Sequence, residues 1–321
     1  MSKDPFRREG ECASRAGCST AGKDGSGCAS CASKGGGANP AAAQDAAIAG
    51  ALGRIKYPVF VMSGKGGVGK SSVSVNIAAA LHAKGFSVGL LDVDLHGPSV
   101  AGLLGLSVGL DMDEAGEKLY PAEYRPGFKV LSIDSLLRDR NTAILWRGPK
   151  KTGAIRQFIG DVLWGDLDFL IIDSPPGTGD EHLTILKAIP DALCLVVTTP
   201  QEVSLADVRK AVNFLQHAEA LVLGVVENMS GLTCPHCGGD IPLFKSGGGA
   251  TLAAQYGLPF LGAIPLDPAT VVAADLGKPV VQLDEPGAAK SAFLALADAV
   301  AAAATKGEAV RLALPPAHEA G

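Results

Sequence analysis

The sequence predicts an α/β protein, a mostly parallel twisted sheet flanked by helices, preceded by a flexible cysteine-containing arm. Three observations carry this prediction. From Lys56 onward, short apolar runs alternate with helical stretches, the pattern that builds βαβ units. The first of these runs passes directly into a glycine-rich segment, SGKGGVGKSS. Residues 1–54, by contrast, are mostly Ala, Gly, Ser, Lys and Cys, with almost nothing large enough to enter a core.

In chain order, residues 1–54 read as the arm, 55–305 as the folded domain and 306–321, ending RLALPPAHEAG, as a loose tail. YPVFVM at 57–62 reads as the first strand. Val73, Ile77 and Leu81 fall on one face of a helix over 70–84, which Gly85 stops. Further strands are expected near 87–92, 128–133, 168–172, 192–198, 221–227 and 259–264. Helices are expected over 149–163, 180–188, 202–218, 249–256 and 288–304. No internal repeat is evident. A chain of 321 residues, 47% hydrophobic and 19% charged, easily sustains a packed core.

The net charge of −5 gives no general attraction to nucleic acid or to an anionic membrane. No apolar run approaches the length of a membrane-spanning helix. The start, MSKDPFRREGEC, lacks the apolar segment of a secretory signal. The expectation is a cytoplasmic protein with reduced thiols, in which seven cysteines point to metal or redox chemistry more than to disulfides.

Gly64, Gly69, Lys70 and Ser71 satisfy G-x-x-x-x-G-K-[ST], the phosphate-binding loop. Gly64, Lys65, Gly66, Gly67, Val68, Gly69, Lys70, Ser71 and Ser72 form the candidate nucleotide cradle. Glycines let the backbone curl so that successive N–H groups face phosphate, and the following helix N-terminus adds partial positive charge. Lys70 reaches the β- and γ-phosphates, and the Ser71 hydroxyl can ligate Mg²⁺. SVGLLDVDLHGPS places Asp92 and Asp94 at the end of the second strand, the edge where α/β sheets bind ligands. Asp92, nearer the strand body, reads as structural. LDFLIIDSPPGTGD ends an apolar strand in Asp173, the residue to hold Mg²⁺ through water, and Asp180 belongs either to the turn-rich loop that follows or to the cap of the next helix.

GLTCPHCGGD places Cys234 and Cys237 in a CxxC, whose turn aims two thiolates at one point. Tetrahedral zinc or an iron–sulfur cluster needs four ligands, whereas a redox dithiol needs no others. CASC at 28–31 could supply a second pair for zinc. His236, between the two cysteines, is expected to face solvent. Cys194 lies in the apolar run ALCLVV and reads as a core thiol. His82, His217 and His318 read as structural or solvated, and His96 as either a γ-phosphate or a loop contact.

KGGVGKS resembles the deviant Walker A motif of the MinD/ParA/nitrogenase-iron-protein class. The resemblance implies that Lys65 reaches across a dimer interface to the partner's nucleotide; the alternative is a solvated loop lysine. Asp94 matches the switch I aspartate that positions or deprotonates the attacking water, with a helix cap near Pro98 as its alternative. DVDLHGPS, WRGP at 146–149, DSPPGTGDEH, VVENMSGLTCPHCG and GLPFLGAIPLDP together resemble the Mrp/ApbC-type iron–sulfur carrier ATPases, over about residues 56–285. This resemblance implies a homodimer that binds ATP and Mg²⁺, hydrolyses ATP slowly, assembles a 4Fe-4S cluster and passes it to apoproteins. Clients and other assembly factors are then the partners, with no nucleic acid and no membrane. Asn228 matches a position that contacts adenine, and Lys150 departs from the methionine expected after WRGP. Two subunits would each contribute Cys234 and Cys237.

Cys12, Cys18, Cys28 and Cys31 resemble, in position and number, the N-terminal cluster motif of the eukaryotic relatives. Here, however, no cysteine follows the CxxC within Lys34–Gly37. A second cluster stands against a zinc-binding or disordered arm. The alternative function is a MinD/ParA-like positioning or partitioning ATPase with a structural zinc site. That reading calls for a basic amphipathic C-terminal helix, yet residues 288–304 carry only Lys290 as a base. An electron carrier like the nitrogenase iron protein would place cluster cysteines on either side of the loop after Asp173, and none lies there.

Overall fold

Strands β1 (Ile55–Ser63), β2 (Val88–Asp92), β3 (Asp111–Met112), β4 (Leu119–Tyr120), β5 (Ala122–Arg125), β6 (Phe128–Ser132), β7 (Leu167–Asp173), β8 (Leu193–Thr198), β9 (Leu221–Glu227), β10 (Leu232–Thr233), β11 (Asp240–Ile241), β12 (Phe260–Ala263) and β13 (Val310–Arg311) alternate with helices along most of the chain. The helices are α1 (Pro40–Leu52), α2 (Lys70–Ala83), α3 (Val100–Leu103), α4 (Gly148–Gly160), α5 (Asp180–Ala188), α6 (Glu202–His217), α7 (Gly248–Tyr256), α8 (Pro268–Asp275) and α9 (Ala288–Lys306). This computed structural model describes residues 40–313 apart from 95–96, 107–110, 115–117, 133–147, 235–236, 238 and 242. Cys12, Cys18, Cys28, Cys31, His96, His236 and His318 therefore lie outside the described residues.

The main sheet runs β12-β9-β8-β1-β7-β2-β6-β5, with β13 also pairing β9. Its inner pairings are all parallel; β5 on β6 and β13 on β9 are antiparallel. A parallel sheet needs helices on both faces, so its strands are buried on both sides and read as continuous apolar runs. Val59, Val61, Leu90, Phe169, Ile171, Leu195 and Val197 share one core with α2 and α9, including Ile77, Leu81, Phe293 and Val300. Phe60, Met62, Leu170, Ile172, Cys194 and Val196 alternate with them and are fully buried on the other face, the side of α4, α5 and α6. Burial pushes the Cys194 thiol up to about 12, so it is an inert core group.

Two segments expected to lie outside the folded domain belong to it. α1 lies inside the stretch expected to be an arm: Ile48 is buried, its Cγ1 3.0 Å from where a Cβ on Gly160 would stand, and Asp45 pairs with Arg156. An alanine-rich helix with only two large apolar side chains, Ile48 and Leu52, gives little sequence signal; Ile48 fitted over a glycine and the Gln44 and Asp45 contacts to Arg156 seat it. β13 lies inside the expected tail, where two backbone pairings to Val222 and Leu221 extend the sheet. Helix α9 is long and apolar enough to cross a membrane by length and composition, but Phe293, Leu296, Ala297 and Val300 bury one face of it in the core. His82 and His217, near the ends of α2 and α6, hydrogen-bond the carbonyls of Pro126 and Asn213.

Candidate functional site

The carboxyl ends of the parallel strands share one edge of the sheet. β1 delivers the glycine-rich loop there, β2 delivers Asp92 and Asp94, β7 delivers Asp173, and β9 delivers Glu227 and Asn228. From β1 the chain crosses to β2 on one side, while β8 packs on the other, so the loop sits at a reversal of strand order, where α/β sheets open a ligand crevice.

Gly64 lies so close to α6 that a Cβ there would sit 2.4 Å from the carbonyl carbon of Asp207. Gly69 caps α2 in the left-handed region (φ 79°), and a Cβ on it would fall 2.2 Å from Nδ2 of Asn228. Both positions exclude a side chain. The first N–H groups of α2, from Lys70 to Ser72, therefore open toward the loop with no intrahelical acceptor, an arrangement fitted to phosphate oxygens. Val68 is buried under the loop, and its carbonyl accepts the Asn228 amide at 2.9 Å. Asn228 thus braces the loop from behind. Lys65 is half-buried at the loop's start, its carbonyl bonded by the Ser63 hydroxyl at 2.9 Å.

Three side chains of α2 converge on Asp173, which is fully buried. The Lys70 ammonium lies 2.7 Å from Oδ1, the Ser71 hydroxyl donates to Oδ2 at 2.6 Å, and the Ser74 hydroxyl donates to Oδ1 at 2.7 Å. Lys70 is only 6% exposed, so this is a desolvated, charge-assisted set rather than a surface pair. Ser74 was not singled out from the sequence. Its signal was available: it follows Ser71 by three residues, on the helix face turned toward the strand edge.

Asp92 pairs in register with Asp173 and is also fully buried. Burial and then repulsion from Asp173 push its carboxyl up to about 7. Opposing them, Oδ1 accepts the Asp94 N–H at 3.0 Å, and Oδ2 accepts the Ser99 and Val100 N–H groups (3.1 and 3.2 Å) and the Ser132 hydroxyl (3.2 Å). Asp92 therefore shapes the turn after β2 and carries the start of α3. Asp94 is nearly buried and accepts the Gly97 N–H at 3.2 Å, turning the loop that holds it.

Asp180 is an exposed first-turn residue of α5, behind the N-cap Gly179. The side chain that ties this turn is His182, whose Nδ1 accepts the Gly179 N–H at 3.3 Å. Its ring stands edge-on to Phe60 and Phe214, and burial there pulls the imidazole down to about 4. His182 is therefore a neutral structural element of the loop after Asp173. Lys151 of α4 reaches Glu181 at 3.2 Å, joining α4 to the same helix start. Lys150 lies in α4.

Beyond Asn228 the chain leaves the sheet and forms the β10–β11 hairpin, whose turn carries both cysteines. Cys234 is half-buried, its N–H bonded to the Gly239 carbonyl at 2.8 Å, and Cys237 is exposed; neither is in a disulfide. The hairpin is seated by Leu266 N–H on the Gly231 carbonyl at 2.9 Å and by Ser230 N–H on the Ile264 carbonyl at 2.9 Å. The hairpin thus begins four residues after Asn228, the residue that contacts the glycine-rich loop. Two thiols on one chain fill half of a four-ligand site.

Residues 54–301 match the family model described as ParA, NUBPL iron-transfer P-loop NTPase. Over 243 residues the chain is 50% identical to the iron-sulfur cluster carrier protein of Methanococcus maripaludis, covering 75% of this chain and 83% of that one. It is 49% identical over 240 residues to the cytosolic Fe-S cluster assembly factor Nubp2 homolog of Drosophila simulans, covering 73% of this chain and 91% of that protein. Among solved structures, a nucleotide-binding protein of Archaeoglobus fulgidus in complex with ADP matches with a TM-score of 0.65 at 37% identity, over 76% of this chain and 98% of that one. The cell division ATPase MinD of Pyrococcus furiosus shares the fold, with a TM-score of 0.56 at 24% identity over 77% of this chain and 99% of its own.

Proposed function

The chain belongs to the NUBPL iron-transfer P-loop NTPases of the ParA class, and from that premise we propose that it is an ATP-hydrolysing iron–sulfur cluster carrier. It would act as a homodimer in the cytoplasm, assemble a 4Fe-4S cluster and hand it to apoproteins. In this reading the α2 N-terminus and the loop amides bind the phosphates, and Lys70 exchanges its buried partner Asp173 for the β- and γ-phosphate oxygens. Ser71 and, through water, Asp173 hold Mg²⁺, which neutralises phosphate charge when bound. Asp94 orients the attacking water. Lys65 reaches the nucleotide of the partner subunit, and Asn228 faces the adenine while bracing Val68. Cys234 and Cys237 take the cluster, their symmetry mates completing four thiolates.

The observation that carries this proposal is the exposed two-cysteine hairpin directly after the residue that braces the phosphate loop. One chain offers a pair, and a two-fold axis doubles it beside two nucleotides.

The experiment is anaerobic reconstitution of the protein lacking residues 1–39 with iron and sulfide. About two irons per chain and the broad visible absorption of a cluster are expected. Cys234→Ala with Cys237→Ala should abolish both while ATP still binds. A colourless protein with metal bound in air would establish zinc instead. Heterodimers of intact and double-variant subunits that kept a full cluster would refute the shared site. With the full chain, additional iron would assign a second cluster to Cys12, Cys18, Cys28 and Cys31.

A further inference from the structure

Glu227, the last residue of β9, is completely buried and has three hydrogen-bond donors as partners. Oε1 accepts the Ser230 hydroxyl at 2.6 Å and the Gly247 N–H at 2.8 Å, and Oε2 accepts the Gly249 N–H at 2.5 Å. A carboxylate taken out of water is costly unless its oxygens are filled, and here the N-terminus of α7 helps to fill them. Its position along the chain is informative. Ser230 and Gly247 are the two ends of the excursion, residues 231–246, that carries Cys234 and Cys237. One oxygen atom draws both ends together.

The residues on either side of the clamp tie it to the nucleotide loop. Asn228 follows Glu227 and bonds the Val68 carbonyl. Met229, next in line, sits in the left-handed region (φ 56°), where a non-glycine residue is held only by its surroundings. The chain thus turns sharply between the residue that braces the phosphate loop and the residue held by the clamp. Gly249 fits so tightly that a Cβ there would lie 3.0 Å from Cβ of Glu227.

We infer that Glu227 is a positioning residue for the cysteine hairpin: by gathering Ser230 and Gly247 on one buried oxygen, it fixes Cys234 and Cys237 relative to the phosphate loop. The inference rests on the cluster-carrier reading for its consequence, but not for its geometry. A simple cap of α7 accounts for the Gly247 and Gly249 contacts, Gly247 being its N-cap, but the Ser230 contact has no part in such a cap. Two variants separate the roles. Ser230→Ala removes the hairpin tie and leaves the α7 contacts in place. Glu227→Gln keeps an acceptor for Ser230 and Gly247 but turns an amide donor toward the Gly249 N–H.

The test is hydrogen exchange of the full-length protein, followed by chelator extraction of the reconstituted cluster. In Ser230→Ala the amides of Cys234 and Leu266 should exchange about tenfold faster or more, the loss of one hydrogen bond to a buried charge. Exchange in β1 and β7 and the affinity for ATP should be unchanged, and the visible spectrum of the cluster should fade several-fold faster under chelator. Glu227→Gln should add faster exchange at Gly249. Wild-type exchange at Cys234 and Leu266 in Ser230→Ala would overturn the positioning role and leave Glu227 a cap of α7. If the wild type takes up no cluster while Ser230→Ala still loosens the hairpin, the carrier reading fails and the positioning role stands.

Discussion

Replacing His182 by Phe should change how stability depends on pH, by an amount the structure fixes. The imidazole is pulled from its ordinary value near 6.5 to about 4 by burial between Phe60 and Phe214. Its folded value lies below its unfolded value, so the neutral form is the one folding favours. At pH 7 neither state is protonated and no penalty exists. As pH falls through 6.5, the unfolded chain takes up a proton that the folded chain refuses, and stability drops until about pH 4. A gap of about 2.5 units corresponds to roughly 3 kcal/mol, most of it expressed by pH 4.5. Phe keeps the edge-on ring contacts and loses the Gly179 acceptor, which is a pH-independent offset. Asp92 slopes the opposite way, because its raised carboxyl costs stability as pH rises from about 4 to 7. That slope is common to both proteins and cancels in the comparison. Urea unfolding at fixed protein concentration and ionic strength, from pH 7.5 to 4.5, is the assay. The advantage of wild type over the variant should shrink by about 2–3 kcal/mol across that range. Parallel profiles would show that His182 titrates normally and that the packing argument is wrong.

Lys70→Ala should abolish tight ATP binding, whereas Asp94→Ala should bind ATP and hydrolyse it about a hundredfold more slowly or worse. Isothermal titration with single-turnover hydrolysis tells them apart, and equal loss of binding in both would refute the division of roles. Removal of residues 1–39 should leave the thermal transition of the folded unit in place, while removal through Gly50 should lower it. The second deletion uncovers the Gly160 face of α4 by stripping off Ile48, buried side-chain burial worth about 1.5–3 kcal/mol. Identical melting of the two truncations would mean α1 adds nothing.

The central strands were legible because a strand buried on both faces leaves an unmistakable apolar run: LDFLIID spans β7 and ALCLVV covers β8. The glycine-rich loop was legible because its glycines answer to backbone geometry, as Gly64 and Gly69 show against Asp207 and Asn228. α1 and β13 were not, since a mostly alanine helix and a two-residue pairing depend on what they meet rather than on their own pattern. α8 was hidden for a related reason: Val271, Val272 and Leu276 are exposed, so its apolar residues do not mark its buried side. Within the candidate site, the structural reading of Asp92 was legible from its place in the strand body, and its buried contacts to Ser99, Val100 and Ser132 agree with it. His182 and Glu227 could not be found. A buried histidine at a helix start and a glutamate at a strand end look like ordinary surface residues until the rings of Phe60 and Phe214, or the amides of Gly247 and Gly249, close over them.

The arrangement at the strand edge also bears on how the proposed nucleotide and cluster chemistries can be coupled. Lys70 and Asp173 are a buried pair, so a phosphate that draws the ammonium away must leave the carboxylate to the hydroxyls of Ser71 and Ser74 and to a cation. Nucleotide and Mg²⁺ are therefore expected to bind together rather than independently. The same edge carries Asn228 against Val68, and two residues later Ser230 is fixed to Glu227. Between the brace and the clamp there is only Met229, already in a strained conformation. A segment this short is expected to absorb little of any shift of the glycine-rich loop. Any displacement of Val68 that accompanies phosphate binding has to be resisted by the clamp or passed to the hairpin that carries Cys234 and Cys237. The buried, three-donor clamp on Glu227 favours transmission as a unit over local give, since breaking it would strand a carboxylate inside the protein. ATP occupancy and thiol geometry are thus expected to be coupled through three consecutive residues, Asn228 to Ser230, a coupling that needs no contact between nucleotide and cluster.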